Sequence, residues 1–248
     1  MVDDFDVGYA AAVGSRRHQL FTDVLGLPPQ VEPNSFVTMD AFQRIARELR
    51  VGRGDRLVDL ACGRGGPGLL LAGMTGAELV GVDFSAVAVA HATERAPLFV
   101  PDGRATFRVG ELAATGLDDG CADAVVCIDS FQFAPDRDAA AREAHRILRP
   151  GGRYVQTNWQ ATDPDHPDLP RSLRTLRFAD ILDRAGFTGV VVEERPDLAE
   201  RVTQVFRAAL DLEPRDDDRP LRRLREEAEV VLRWPDVVRR VLVIAERP

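Results

Sequence analysis

VDLACGRGGPG, from Val58 to Gly68, is the stretch that decides the fold of this 248-residue chain. A second run, ELVGVDFS from Glu78 to Ser85, follows one helix-length later. Together they predict a strand, a glycine-rich turn that opens a helix, and a second strand that ends on an acidic residue. This arrangement is typical of a nucleotide-type cofactor site.

The first run has the composition of a buried strand followed by a sharp turn. Leu57 to Leu60 is mostly apolar, as in a parallel strand that is covered on both faces. Glycines follow where the chain must turn and let a ligand approach the backbone. We therefore expect side chains at Gly63 or Gly65 to occupy the ligand's space.

The segments after the turn supply the groups that a polar ligand needs. A helix is predicted for Pro67 to Met74, and its first-turn amides are free to face the ligand. Leu79 to Val82 is a second buried strand, and Asp83 lies at its carboxyl end. A carboxylate at this place accepts hydrogen bonds from both hydroxyls of a ribose, as in dinucleotide folds.

The turn does not have the dinucleotide spacing G-x-G-x-x-G. It resembles instead the first motif of the class I S-adenosylmethionine-dependent methyltransferases, D-x-G-x-G-x-G, whose second strand ends in Asp or Glu. Asp59, Gly63 and Gly65 match that motif, and Ala61 stands where the first glycine is usual. Alanine fits this place if its backbone keeps a negative φ.

Later motifs follow in the order and spacing of the same family. Thr106 to Val109 is a short strand, and Gly110 to Leu112 stands where the family places a residue beside the adenine. Cys121 to Asp129 resembles the fourth strand, with Asp129 and Ser130 at its cofactor end. Arg142 to Gly152 resembles the helix and the Leu-x-Pro-Gly-Gly turn that lead into the fifth strand.

The resemblance implies an α/β fold. The expected architecture is a Rossmann-like, seven-stranded, mostly parallel sheet with helices on both faces, an antiparallel last strand and helical cap elements. The implied cofactor is S-adenosyl-L-methionine. The residues that the resemblance assigns to cofactor binding are Asp59, Ala61, Gly63, Gly65, Asp83, Phe84, Gly110, Glu111, Leu112, Asp129 and Ser130.

Composition bounds the organisation and the partners. A hydrophobic content of 45% over 248 residues suits one domain with a cap. The net charge of -8 argues against a nucleic-acid partner, and no apolar run approaches the ~20 residues of a membrane span. Met1 to Asp6 is acidic where a signal peptide would be basic, so we expect a cytoplasmic protein. Cys62, Cys121 and Cys127 are predicted to be reduced thiols, with Cys62 either a small packing residue or a functional thiol in the turn.

The single domain, residues 1–248, divides into four predicted parts: a helical cap (1–50), the cofactor-binding core (51–195), a helical insertion (196–236) and the last strand (237–248). In the cap we predict helices from Val7 to Leu25, ended by Pro28-Pro29, and from Asp40 to Arg50. Between them, Ser35 and Thr38 either contact the cofactor's methionine carboxylate or cap the next helix. The insertion is predicted to be two helices that cap the substrate or form a homodimer contact.

The later part of the core continues the family pattern. We predict a helix from Leu173 to Ala185, ended by Gly186, and a strand from Thr188 to Val192. Val241 to Ala245 is the predicted last strand. The run from Arg215 to Arg219 inside the insertion is predicted to be a solvated turn.

Methyl transfer from a sulfonium is an in-line displacement, so a general base is needed only if the acceptor must lose a proton early. Where the family often has a histidine after the fourth strand, this chain has Ser130 to Phe133, which offers no base. The catalytic candidates are His166, in the loop after the fifth strand, His18, on the N-terminal helix, and Asp129. For the two histidines the alternatives are an exposed loop residue and a solvated helix face. Other candidates for polarising an acceptor are Asp163 and Tyr9, whereas His91 is predicted to be structural and His145 to be exposed on the surface of its helix.

Magnesium-dependent relatives hold their metal with an Asp after the fourth strand and Asp-Asn after the fifth. Asp129 and Asn158 fit that pattern, but Thr157 takes the middle position, so we predict no catalytic metal.

The acceptor is expected to be a small, partly apolar metabolite, because the chain carries no base-flipping N-P-P-Y or D-P-P-Y motif and no basic module. Its predicted walls are Phe131, Phe133, Trp159 and the insertion. The absence of lysine indicates a GC-rich coding bias, which favours a role in secondary metabolism, with methylation of oxygen, carbon or nitrogen. The alternative is a cofactor-bound protein of the same fold that transfers no methyl group, either a cyclase or a binding scaffold.

Overall fold

Seven strands form one sheet. The structure is a computed structural model and describes residue 6 and residues 15–167, 169–215, 218–233 and 236–248. The strands are β1 (Arg56–Leu60), β2 (Glu78–Asp83), β3 (Ala105–Val109), β4 (Ala122–Ile128), β5 (Leu148–Ala161), β6 (Thr188–Glu194) and β7 (Val238–Glu246). Their order is β3-β2-β1-β4-β5-β7-β6. Strands β1 to β5 pair in parallel and β7 runs antiparallel to β5 and β6, which confirms the predicted sheet.

Helices cover both faces of this sheet. They are α1 (Arg16–Leu25), α2 (Met39–Leu49), α3 (Gly66–Thr75), α4 (Ala86–Arg95), α5 (Arg137–Ile147), α6 (Arg171–Arg174), α7 (Phe178–Arg184), α8 (Pro196–Asp211) and α9 (Arg219–Val231). Successive strand residues point to opposite faces, so Leu57 packs with α1, α2, α3, α8 and α9, whereas Val58 packs with α5 and α7. Among the described residues, no helix combines the length and hydropathy that crossing a membrane requires.

The parallel strands end together at one edge of the sheet, which we call the carboxyl edge. In register, Leu60 of β1 lies beside Val82 of β2, and Ile128 of β4 lies beside Thr157 of β5. The residues that follow, including Asp83 and Asp129, therefore meet at this edge, where open α/β sheets bind their ligands.

The turn between β1 and α3 departs from expectation at two positions. Ala61 has φ of 55°, in the left-handed region with Gly63 (52°) and Gly65 (78°), so it lacks the negative φ that alanine was expected to keep. A β-carbon in this region costs roughly 1–2 kcal/mol. At Gly65, a β-carbon would lie 3.0 Å from Ala92 Cβ and 3.1 Å from the Phe107 ring. The constraint at Gly65 is therefore packing inside the protein, and the expectation of ligand space is wrong there.

The predicted continuous helix from Val7 to Leu25 is wrong. Ser15 is extended, and its hydroxyl accepts a hydrogen bond from the His18 amide, so it caps a helix that begins at Arg16. Gly26, in the left-handed conformation, ends that helix before the two prolines. Residues 7–14 lie outside the described residues.

The predicted helix from Leu173 to Ala185 is interrupted, because α6 ends at Arg174 and α7 begins at Phe178. Leu176 and Phe178 are both buried, and residues two apart cannot share one face of a helix. The predicted stop is present, since Gly186 has φ of 94°.

The insertion consists of the two predicted helices, α8 and α9. Their buried apolar side chains pack against each other and against α1. The ring centroid of Phe206, in α8, lies 5.2 Å from that of Phe36. The two alternatives for the insertion, a cap over the substrate and a homodimer contact, both stay predictions. Asp218 is buried and caps α9 by accepting a hydrogen bond from the Leu221 amide, so it is not part of a solvated turn. Its neighbours 216 and 217 lie outside the described residues.

Replacing Ala61 by glycine should stabilise the fold. We expect the Ala61→Gly variant to raise the free energy of unfolding by about 0.5–1 kcal/mol, because relief of the left-handed β-carbon exceeds the added entropy of the unfolded chain. The measurement is urea unfolding followed by circular dichroism. Ala113→Gly is the control, since Ala113 has no positive φ, and it should lower stability slightly. Equal destabilisation by the two substitutions would contradict the strain at Ala61.

Candidate cofactor and acceptor site

Asp83 is the buried carboxylate at the centre of the carboxyl edge. It ends β2 and is 1% exposed. One carboxylate oxygen accepts a hydrogen bond from the Gly63 amide at 2.8 Å, and the other accepts one from the Ser85 amide at 3.0 Å. Burial raises the pKa of Asp83, these two hydrogen bonds oppose that shift, and the nearby Asp6 carboxylate adds to it. Each oxygen keeps a lone pair for a further donor.

A second buried carboxylate, Asp59, lies behind the turn. It is 1% exposed and accepts a hydrogen bond from the Gly68 amide in the first turn of α3. Gly68 must be glycine, because a β-carbon there would lie 2.5 Å from Asp59 Oδ2. Burial, and then the charge of Asp83, raise the pKa of Asp59 to about 8. Asp59 thus holds the helix start against β1, and its predicted part in cofactor binding stays a prediction.

Cys62 is a packing residue in this geometry. It is buried, and its thiol lies 3.6 Å from the Gly63 carbonyl oxygen. Burial, followed by the charges of Asp59 and Asp83, raises its pKa well above the ordinary value, which keeps it a protonated thiol.

The loop after β3 closes a second side of the site. The Gly110 amide donates to the Asp83 carbonyl oxygen at 3.0 Å. Glu143 of α5 holds this loop from behind by accepting hydrogen bonds from the Thr115 amide (2.8 Å) and hydroxyl (2.5 Å). Although burial acts in the opposite direction, hydrogen bonds from Arg146 and Thr115 lower the pKa of Glu143 to about 2. Of the predicted adenine contacts, Glu111 is exposed and Leu112 is half-buried.

Residues 29–37 lie over the glycine turn, and we call them the cover segment. Glu32 forms an ion pair of 2.5 Å with Arg64, which is itself buried in the turn. Arg95 of α4 donates to the carbonyl oxygens of Arg64 (2.6 Å) and Val31 (3.0 Å), so it joins the turn to the cover segment. The Ser85 hydroxyl bonds the Asp6 carboxylate, which places an acidic group beside Asp83. Sequence reasoning missed these contacts because their partners are far apart in the chain.

Asp129, at the end of β4, has both carboxylate oxygens occupied. Oδ2 accepts a hydrogen bond from the Phe36 amide at 2.9 Å. Oδ1 accepts from the Thr157 hydroxyl at 2.8 Å and from Nη2 of Arg240 at 2.6 Å. A carboxylate with these donors is an anchor that joins the cover segment to β5 and β7. Its φ of 52° is tolerated by aspartate and sets this orientation.

The two histidine candidates have contacts with other parts of the chain. His18 Nε2 is 2.9 Å from the carbonyl oxygen of Pro29, in a contact between α1 and the cover segment. His166 lies in a loop joined to the start of β7 through the Thr162 amide, which donates to the Val237 carbonyl oxygen at 2.8 Å. No hydrogen bond within the described ranges joins either imidazole to Asp83 or Asp129. Tyr9 lies outside the described residues.

The other polar candidates bond to one another or to the backbone. The Ser130 hydroxyl donates to the Ile128 carbonyl oxygen (2.9 Å), and the Asn158 amide donates to Gln132 (2.7 Å). The Thr38 hydroxyl caps α2 by accepting from the Ala41 amide, which is the second of its two predicted roles. The hydroxyl of Ser35 is buried and has no hydrogen-bond partner among the described residues.

The three aromatic side chains predicted as acceptor walls differ in their surroundings. Phe131 packs into the core against Phe178 of α7, with ring centroids 6.1 Å apart, and Phe133 is 54% exposed. Trp159 does lie at the carboxyl edge, where the guanidinium carbon of Arg240 is 5.0 Å from its ring centroid. The assignment of Phe131, Phe133 and Trp159 to the acceptor's walls stays a prediction.

The raised pKa of Asp59 predicts a pH-dependent stability. The pKa of Asp59 is about 8 in the folded protein, above its value in the unfolded chain. Its contribution to the free energy of unfolding is therefore fully present below about pH 4 and is lost as the pH rises through 8. The Asp59→Asn variant should gain stability relative to the parent chain over that range, by up to about 1.4 kcal/mol per pH unit. Urea unfolding from pH 5 to pH 8 measures the difference, with the exposed Asp118→Asn as control. A difference that stays constant with pH would contradict the assignment.

Part of the chain is similar to known methyltransferases. Residues 58–156 match the family described as methyltransferase domain. The chain is 34% identical over 112 residues to 27-O-demethylrifamycin SV methyltransferase from Amycolatopsis mediterranei, a match that covers 45% of this chain and 41% of that protein. The chain thus spans less than half the length of this curated relative.

Two solved structures share the fold. Phosphoethanolamine N-methyltransferase 2 of Haemonchus contortus, in complex with phosphomonomethylethanolamine and S-adenosylhomocysteine, has a TM-score of 0.74 at 20% identity and covers 93% of this chain and 56% of its own. The 4+2 cyclase SpnF has a TM-score of 0.68 at 22% identity and covers 84% and 80%. The match of residues 58–156 to the methyltransferase domain family thus agrees with the strand order, the glycine turn and the position of Asp83 at the end of β2.

Proposed function

We propose that this protein binds S-adenosyl-L-methionine and transfers its methyl group to oxygen, carbon or nitrogen of a small, partly apolar metabolite, in secondary metabolism. The observation that carries the proposal is the Asp83 carboxylate at the end of β2, held by the Gly63 and Ser85 amides. The rifamycin-related activity of the Amycolatopsis relative supports a natural-product acceptor.

The buried polar groups at the carboxyl edge fit this cofactor. Asp83 would accept hydrogen bonds from the two ribose hydroxyls through its remaining lone pairs. The Gly63 and Gly65 turn would bring backbone close to the ligand, and the loop from Gly110 to Leu112 would flank the adenine. Phe84 and Ser130 complete the proposed set, whereas Asp59 and Asp129 would support it from behind without touching it.

The bound cofactor supplies an electrophilic methyl group on a positively charged sulfur. The protein's own task is then to orient the acceptor in line with that methyl and to exclude water. The cover segment and α8 would exclude water, because the ring of Phe36 packs between two other aromatic rings above the site. Its centroid lies 5.0 Å from that of Phe21 and 5.2 Å from that of Phe206. Asp129 fixes the cover segment through the Phe36 amide and acts as a positioning residue.

We propose a mechanism without a catalytic metal. The Asp129 oxygens accept hydrogen bonds from Phe36, Thr157 and Arg240, and the Asn158 side-chain oxygen accepts one from the Trp159 amide at 2.7 Å, so the oxygens of both residues are engaged within the protein. In the part of the chain that is described, no three His, Cys, Asp or Glu residues are grouped as metal ligands.

The wider setting is also a proposal. We place the protein in the cytoplasm, supported by three cysteines that are free thiols. A net charge of -8 supports a small-molecule acceptor and no nucleic-acid partner. The burial of apolar side chains of α8 and α9 within the chain supports a cap, and a homodimer stays the alternative role of these helices.

The second candidate function is a cyclase that holds the cofactor without using its methyl group. It is favoured by the likeness to the SpnF fold and by the Asp129 carboxylate, whose oxygens are both engaged by donors within the protein. Incubation with methyl-labelled S-adenosylmethionine and a cell extract separates the two. Labelled product supports methyl transfer, whereas consumption of an acceptor without label supports the cyclase.

Asp83 provides the direct test of cofactor binding. The Asp83→Asn variant should bind S-adenosylhomocysteine at least about thirtyfold more weakly in calorimetry, because charge-assisted hydrogen bonds to the ribose are lost. The exposed Asp180→Asn substitution, in α7, is the control and should leave the affinity unchanged. The thermal transition of each variant reports its folding, and unchanged affinity in a folded Asp83→Asn protein would remove the ribose assignment.

A further inference from the structure

Arg240 of β7 is a fully buried cation whose hydrogen bonds are incomplete. Its exposed fraction is 0%, and Nη2 donates to Asp129 at 2.6 Å. The other two nitrogens, Nε and Nη1, have no hydrogen-bond partner within the described part of the chain. Together they carry three N–H protons, and unpaired buried donors on a charged group are costly.

A purely structural ion pair does not account for this arrangement. The contact with Asp129 uses one nitrogen of a guanidinium that can bind oxygen atoms through two or more. Strand β7 is otherwise apolar at this depth, with Val241, Leu242 and Val243 all buried. An arginine placed there with most of its donors unused is suited to a ligand that supplies the missing oxygen.

The surroundings define the kind of ligand. The guanidinium carbon lies 5.0 Å from the centroid of the Trp159 ring, and Trp159 pairs with Arg240 across β5 and β7. The same Asp129 carboxylate accepts the Phe36 amide, so the aromatic Phe36 and the unpartnered Ser35 hydroxyl belong to this region. The site therefore combines apolar rings with a cation and a hydroxyl.

We infer that Arg240 is a specificity-determining residue that binds an ionised oxygen of the acceptor through Nε and Nη1. This rests on the proposed function and narrows the acceptor to metabolites with a carboxylate, phenolate or enolate oxygen beside an apolar body. A guanidinium favours the ionised form of such an oxygen, which reduces the need for a protein base. Because Arg240 is covered, the acceptor enters when the bond between Phe36 and Asp129 opens.

The test compares two probes of nearly equal shape, para-fluorobenzoate and para-fluorobenzyl alcohol. Fluorine NMR measures their dissociation constants in the presence of S-adenosylhomocysteine. We expect the benzoate to bind at least about tenfold more tightly, and we expect Arg240→Met to reduce this preference to less than twofold. Arg239→Met is the matched control, because it removes the same charge from the next position, whose side chain faces Glu194 and Gln160.

Three outcomes overturn the inference: no binding of the benzoate, equal binding of both probes, or a preference that survives Arg240→Met. If Arg240→Met fails to show a thermal transition, Arg240→Lys replaces it, since lysine keeps the charge without the fork and should lose most of the preference. Calorimetry with S-adenosylhomocysteine alone separates this inference from the proposed function. If the parent chain does not bind S-adenosylhomocysteine, the cofactor proposal is refuted. The comparison of the two probes still decides whether Arg240 selects an ionised oxygen.

Discussion

The hydrogen bond from the Gly63 amide to the Asp83 carboxylate joins the two strands on which the rest of the site depends. It holds the turn after β1 against the end of β2, and the loop after β3 is added through the Gly110 amide. Because Asp83 is buried, its charge is stabilised by these directed backbone donors and not by solvent. The same hydrogen bond from Gly63 thus fixes the position of the turn and stabilises the charge of Asp83.

Arginines balance the buried acids around this centre. Arg64 and Arg95 join the turn to Glu32 in the cover segment, and Arg240 pairs with Asp129 beneath the same segment. Opening the cover segment would therefore separate the Glu32 carboxylate from Arg64 and Arg95. It would also break the hydrogen bond from the Phe36 amide to Asp129. Asp129 thus links the position of the cover segment to that of Arg240, through contacts that lie far apart in the sequence.

The sheet and the turn were predictable because their signals are local. Apolar runs, glycines and a terminal acidic residue recur at the spacing that a strand, a turn and a helix require. The φ of Ala61 was not predictable, since side-chain identity alone argues for the opposite sign. The break before Phe178 and the start of α1 at Arg16 depend on tertiary packing and on a cap at Ser15, which compete with helical periodicity. Arg240 left a signal, an arginine pair inside an apolar strand, but its partner Asp129 is 111 residues away.

A crystal structure of the full chain with S-adenosylhomocysteine tests the central claim most directly. The account predicts both ribose hydroxyls within hydrogen-bond distance of the Asp83 carboxylate, with the Gly63 amide still bonded to it. A nucleoside bound elsewhere, or a ribose that makes no contact with Asp83, would contradict it.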